Sequence, residues 1–277
     1  GGVHLSIHPF STSFHPTDAR ITTRCKRRNF VKDCLMSLVH ECGHAMYEQG
    51  LLPEYFGTPM AESVSFGVHE SQSRLWENLV GHSMPFWMYF YPKMQMMVPQ
   101  FKNISLADFY GAINCVRPSL IRVDADEVTY NLHINLRFEI EKLLIEGQIE
   151  VEDLPTVWNQ KVKEYLGLEV KNDSEGVLQD VHWSDGSFGY FPSYSLGNLY
   201  ASQFYEAALK DIPDLASQMS KGNFKNLLKW LRNNIHVHGR YYSADELLVK
   251  VTGQGFSTQP FINYIKHKYI QLYNIQE

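Results

Sequence analysis

Cysteine is scarce in this chain: four residues, Cys25, Cys34, Cys42 and Cys115, in 277. They have neither the density of a secreted disulfide scaffold nor the C-x-x-C spacing of a zinc ribbon, so free thiols and a reducing compartment are expected. Excess basic charge is missing as well. Lys and Arg total 25 against 30 Asp and Glu, a formal charge of −5, which offers no field for a phosphate backbone and argues against a nucleic-acid partner. No apolar run reaches bilayer length. The greasiest stretch, 84–98, is broken by Pro85, Pro92 and Lys93, and its Met and aromatic residues are expected in a core, with no membrane insertion. The first ten residues contain no basic region followed by an apolar one, so no leader peptide and a cytoplasmic location are expected. Low-complexity linkers and internal repeats are also lacking, and one domain spanning 1–277 is expected.

What is present is helical. Val31, Leu35, Leu38, Val39, Cys42, Ala45 and Met46 recur at helical spacing, with Gly50 and Pro53 as the stop. A second helix is expected from about Met60 to Val80. Ser105 with Asp108 has the form of a capping box, and a long helical face follows Asp124 as far as Gly147. Asp153-Leu154-Pro155 opens another helix that Gly167 should end. Residues 171–192, punctuated by Gly and Pro, read as a long loop. Helical patterns resume near Ser193, Ser243 with Glu246 makes a further capping box closed by Gly253, and Ser257 with Pro260 opens the last helix. Period-2 alternation is convincing only at 18–24, so the expected fold is mainly α with a small β element.

His40-Glu41-Cys42-Gly43-His44 is an H-E-x-x-H set inside the first strong helix. Histidines at i and i+4 lie one turn apart on one face, so both imidazoles can reach one tetrahedral Zn²⁺, with Glu41 flanking them as general base. A catalytic zinc takes a third protein ligand and keeps one position open. Glu70, 26 residues after His44, is a candidate, and His69 competes with it. Glu77 and Glu62 are weaker candidates, each about two turns away. Cys42 lies on the opposite side of the helix and is expected in the core.

Several ordered motifs then give the chain a closer resemblance. His8-Pro9-Phe10, Asp18-Ala19-Arg20-Ile21-Thr22, His40 to His44, His69-Glu70-Ser71-Gln72, Ile121-Arg122-Val123-Asp124-Ala125-Asp126 and Gly176-Val177-Leu178-Gln179-Asp180-Val181-His182-Trp183 resemble, in that order, the M32 metallocarboxypeptidases, the thermostable (Taq-type) carboxypeptidase family. The resemblance extends to 189–197 and 236–240. It implies a largely helical zincin-type fold like that of neurolysin and angiotensin-converting enzyme. It also implies His40, His44 and Glu70 as metal ligands, Glu41 as general base, and cytoplasmic homodimers that remove single residues from peptide C-termini. Zinc is the implied cofactor; Co²⁺ or Mn²⁺ would suit the same ligands. The family carries a long helical segment ahead of its His-Pro-Phe motif, so this chain is expected to be the C-terminal, catalytic portion of a longer protein.

The remaining chemistry needs donors and a carboxylate receiver. His182, Tyr190 and Tyr194 cluster in or beside the long loop and are candidates to stabilise an oxyanion. Arg122 is the candidate for the substrate's free α-carboxylate, because a guanidinium offers two parallel hydrogen bonds; its alternative is an ion pair with Asp124, Asp126 or Glu127. Arg20 beside Asp18 binds substrate or buttresses the strand, and Arg74 has Glu70 and Glu77 within helical reach. His8 lines a groove or caps a turn, and His236 and His238 touch substrate or satisfy local hydrogen bonds. A zinc carboxypeptidase acting on peptides with a free C-terminus is the leading reading. The alternatives are a zinc oligopeptidase or endopeptidase, and an inactive metal-binding fragment.

Overall fold

The structure, a computed structural model, describes residues 1–25 and 30–276. It is mainly helical with one small sheet, as the helical periodicity leads one to expect. The chain divides into two compact units: residues 1–113 with 196–277, and residues 114–195.

The first unit opens with three strands, β1 (Gly2–Leu5), β2 (Ser11–His15) and β3 (Asp18–Thr23). Their order is β1-β3-β2, with β1 parallel and β2 antiparallel to β3. Only β3 is expected from the sequence; β1 and β2 are additions. Neither offers an apolar-in, polar-out alternation, since Val3 and Leu5 are both exposed and β2 is mostly Ser, Thr and His. In β3, Ala19 and Ile21 are buried against Ala45, with Leu38 and Cys42 alongside. Buried Thr22 is satisfied because its hydroxyl accepts from the Phe10 backbone N–H at 3.0 Å.

A π-helical segment, Val31–Met36, runs into α1 (Ser37–Glu48). Cys25 and Cys34 are joined by a disulfide, with Cα atoms 4.6 Å apart, and only Cys42 and Cys115 are free. The expectation of four free thiols is therefore corrected. The two Cα atoms lie within bridging distance, a proximity that a nine-residue spacing does not reveal.

Next comes α2 (Phe66–Arg74), which continues as a π-helical segment, Leu75–Gly81. It starts later than the expected Met60 because the Ser65 hydroxyl caps it, accepting from Val68 N–H at 3.1 Å. The Met- and aromatic-rich stretch forms α3 (Met84–Met97), burying Phe86, Trp87, Tyr91 and Met94, and α4 (Leu106–Ile113) follows. Trp87 and Tyr91 pack their rings on Phe109 with centroids 4.6 and 4.5 Å away. Among the described residues, no helix is long and apolar enough to cross a membrane.

The second unit holds α5 (Tyr130–Ile145) and α6 (Leu154–Leu166), around a core of Leu136, Ile140, Trp158 and Val162. Gly167 ends α6 with φ 69°, a left-handed cap that glycine adopts at no steric cost. Residues 171–191 form turns and loop, as read from their composition. Helix α7 (Pro192–Asp211) follows, and the chain finishes with α8 (Leu215–Ser220), α9 (Lys225–Asn234), α10 (Ala244–Thr252) and α11 (Gln259–Tyr273). The Ser243–Glu246 capping box of α10 is complete, and Gly253 closes the helix at φ 72°.

Candidate metal centre

Two helices of the first unit supply the site. One turn of α1 separates His40 from His44, and Glu70 stands on α2. One ligand atom from each of the three lies within 4.8 Å of the others. Both imidazoles turn Nε2 towards the same carboxylate oxygen: Glu70 Oε2 is 3.7 Å from His40 Nε2 and 3.4 Å from His44 Nε2. The helices approach closely because Gly43, between the two histidines, has no side chain. A Cβ there would fall 2.6 Å from Ser73 Cα and 2.7 Å from the Gln72 carbonyl oxygen. Gly197 on α7 leaves similar room, since a Cβ would come within 2.4 Å of Glu70 Cγ.

Each donor is held from behind. His40 Nδ1 lies 2.7 Å from Glu77 Oε2. Arg74 donates from Nε to Glu70 Oε1 at 2.8 Å and from Nη1 to Glu77 Oε2 at 3.2 Å. On the other side, His44 Nδ1 lies 2.6 Å from His69 Nδ1, and His69 Nε2 lies 2.8 Å from Glu48 Oε1. His69 thus meets the candidate ligand His44 through its ring nitrogen, and Glu70 faces the cluster. Glu62 instead pairs with Arg240 at 2.9 Å. Cys42 packs with Leu38 towards the sheet.

The electrostatics follow from burial and these partners. Burial opposes charge on His40, but Glu70 and Glu77 override it and raise its pKa to about 9. Burial lowers His44 to about 4. Burial would raise both acids, yet His40 and Arg74 hold Glu70 well below the usual carboxylate range, and Arg74 and His40 hold Glu77 at about 2. Glu41, 7% exposed, goes the other way: burial pushes it up to about 7 against the pull of His40. The ligand types fit a divalent transition metal. Two imidazole nitrogens and a carboxylate oxygen on three residues, each imidazole with its second nitrogen already engaged, match a catalytic site that keeps a position open.

In the second unit, Arg122 is 6% exposed and donates from Nε and Nη2 to Asp180 Oδ1 at 3.1 and 2.7 Å, and from Nη1 to the Tyr130 hydroxyl at 2.9 Å. Its carboxylate partner is Asp180 in place of the nearby Asp124, Asp126 or Glu127. Asp180 also accepts from Nε of the fully buried Arg137 at 2.7 Å. Arg122 lies 4.9 Å from the Tyr194 ring centroid, and His182 Nε2 is 3.0 Å from the Tyr194 hydroxyl. The Tyr190 and Tyr194 ring centroids are 5.3 Å apart. Burial and the Arg122 cation lower the His182 pKa, which favours the neutral imidazole.

Outside these clusters, Arg20 is exposed, paired with Asp18 at 2.7 Å and placed over the Phe14 ring. His8 is exposed, with Nδ1 2.6 Å from the Pro9 carbonyl oxygen. His236 is fully buried against Gln72 Oε1 at 2.9 Å, and the His238 ring lies beside Tyr242. Motif reading passes over Glu48, Arg137 and Asp180 as partners. Glu48 alone carries a local signal, lying four residues after His44 on the same helix.

A family model described as carboxypeptidase Taq (M32) metallopeptidase matches residues 1–269. Thermostable carboxypeptidase 1 of Thermus thermophilus is 47% identical over 273 residues, covering 99% of this chain and 53% of the relative. Carboxypeptidase 1 of Bacillus subtilis is 43% identical over 274 residues, covering 99% of this chain and 54% of the relative. The crystal structure of an M32 carboxypeptidase from Deinococcus radiodurans R1 superposes with a TM-score of 0.95 at 43% identity, covering 99% of this chain and 56% of that one. The chain thus spans about half the length of the curated relatives it matches. On the whole-chain match of the family model, this chain belongs to the carboxypeptidase Taq (M32) metallopeptidase family.

Proposed function

We propose that this chain carries the catalytic centre of a zinc-dependent carboxypeptidase that releases the C-terminal residue of peptides with broad specificity. The observation that carries the reading is the convergence of His40, His44 and Glu70, with Glu41 beside them on α1. A divalent ion held by those three residues supplies Lewis acidity towards a water and the scissile carbonyl. Glu41, with a pKa near 7, is suited to accept a proton on its carboxylate and return it to the leaving nitrogen. His182, Tyr190 and Tyr194 are proposed as hydrogen-bond donors to the developing oxyanion, supported by their mutual contacts and the neutral state of His182.

Arg122 is proposed to receive the substrate carboxylate. Three of the five N–H donors of a guanidinium are taken by Asp180 and Tyr130, so the proposal rests on the other two. Arg20 and His8 are retained as substrate contacts on the resemblance alone. Zinc is preferred because two imidazoles and one carboxylate are ordinary zinc ligands; cobalt and manganese suit the same donors. Peptides with a free C-terminus as substrates, a homodimer and a cytoplasmic location are likewise proposed on the resemblance. The Cys25–Cys34 disulfide withdraws the cysteine argument for a reducing compartment.

The test is release of the C-terminal amino acid from an N-blocked dipeptide, with and without added Zn²⁺ and with a chelator. Release should require metal and should be far faster from a free carboxylate than from an amidated C-terminus. Arg122→Lys keeps the charge beside Asp180 but loses the fork, and should cost at least tenfold in kcat/KM on free-carboxylate peptides and little on amidated ones. Metal-independent release, or cleavage indifferent to amidation, would refute the carboxypeptidase reading; equal losses on both substrates would make Arg122 a structural residue.

A further inference from the structure

Two side chains lie behind His44 in a chain of contacts whose hydrogens are linked, so that placing one places the next. His44 Nδ1 faces His69 Nδ1 at 2.6 Å, and His69 Nε2 faces Glu48 Oε1 at 2.8 Å. Two imidazole nitrogens in contact share one hydrogen, and a carboxylate accepts one. With Nε2–H donated to Glu48, an imidazole carrying one hydrogen presents a bare Nδ1 at His69, and His44 is then the donor through Nδ1–H. That tautomer leaves the lone pair on His44 Nε2, the nitrogen that faces Glu70. The opposite tautomer puts a hydrogen on His44 Nε2, where a metal would bind, and sets a bare His69 Nε2 against the Glu48 carboxylate.

We propose that Glu48 and His69 are positioning residues for the metal: together they fix the tautomer and ring orientation of His44, and so set the affinity of the site. This inference rests on the metal-site reading above and extends it to two residues outside the ligand set. The arrangement differs from that behind His40, where Glu77 meets Nδ1 directly. Glu48 stands one turn beyond His44 on α1, yet it acts through a residue of α2, so the chain of contacts runs from α1 to α2 and back. Side-chain exposures of 14% for His44, 22% for His69 and 21% for Glu48 place the bonds in partial burial, where they are stronger than in water. Fully buried Tyr47 lies beneath the His69 ring, with centroids 5.3 Å apart.

The test compares the wild-type chain with Glu48→Gln, whose amide can donate to or accept from His69 and so no longer selects a tautomer. A second variant, His69→Phe, keeps a ring over Tyr47 but removes both nitrogens. The metal-free proteins are titrated with Zn²⁺ against a chromophoric chelator, with circular dichroism monitoring the fold. Both variants should bind about 10- to 100-fold more weakly. In the Co²⁺-loaded proteins, the shifted exchangeable N–H proton of His40 should persist in both variants, while that of His44 should exchange rapidly. Wild-type affinity in either folded variant overturns the proposal and leaves the metal site standing. Failure of the wild-type chain to bind metal overturns the metal-site reading, and this inference with it.

Discussion

Replacing Asp180 by Asn removes the carboxylate that Arg122 and Arg137 share. The two guanidiniums are 6% and 0% exposed, and they reach Asp180 through three hydrogen bonds of 3.1, 2.7 and 2.7 Å. Burial and the neighbouring Arg122 cation lower Arg137 only to about 10 against the pull of Asp180, so both remain cations at neutral pH. Asn is nearly isosteric but brings an amide N–H₂ where an acceptor is needed. Removing one partner of a buried ionic cluster costs about 3–5 kcal/mol, and Asp180→Asn should lower the stability of the second unit by that order. Urea unfolding followed by hydrogen exchange over 114–195 measures it. The pH dependence adds a second signature. Burial would raise the Asp180 pKa, but the two arginines bring it from 3.8 down to about 2. A depressed folded-state pKa contributes stability that is complete above the unfolded value and is lost as pH falls through the folded one. The shift corresponds to about 2–3 kcal/mol at about 1.4 kcal/mol per unit, disappearing between about pH 4 and 2. Protonation costs less than substitution because the neutral acid still accepts hydrogen bonds. The variant should lack this part of the acid slope; a loss under about 1 kcal/mol with an unchanged slope would refute the argument.

Two further outcomes can be checked directly. Glu41→Gln alters the proton acceptor and none of the three ligands, so zinc should bind within a few-fold of wild type while turnover falls by about 10²–10⁴; full activity would remove Glu41 from its role. Gly197→Ala should favour α7 by helix propensity, yet its methyl group must displace Glu70, whose Cγ and Cβ would lie 2.4 and 2.8 Å away. Overpacking of about 1–3 kcal/mol should appear as weaker Zn²⁺ binding in a chelator competition, and unchanged affinity would show that Glu70 moves freely.

The parts of this molecule legible in its sequence are those written in nearby residues. His40 and His44 declare one helix face by their spacing, Gly167 and Gly253 mark helix ends by the left-handed turns they adopt, and Ser243 with Glu246 marks a start. The family resemblance brings in Glu70 by motif. Strands β1 and β2 escape because their pairing with β3, and no alternation of their own, defines them. The supporting partners escape because they come from far along the chain: Glu77 is 37 residues from His40, and Asp180 is 58 from Arg122. Glu48 and His69 are visible as residue types, but the hydrogen bond that joins their roles depends on how α1 lies against α2.

The contact at Gly43 also bears on how this centre tolerates change. Where α1 meets α2, the helix seam is drawn tight by main chain, with Gln72 and Ser73 occupying the space a methyl group would need. Helices usually stand apart by the bulk of interleaved side chains, and their spacing drifts as cores exchange one residue for another. Here the gauge of the candidate metal seat is set by peptide backbone, which mutation does not resize. Substitutions in the hydrophobic interior can therefore accumulate while the ligand bite stays constant, so variation in the core and constancy of the centre are compatible in one small helix pair.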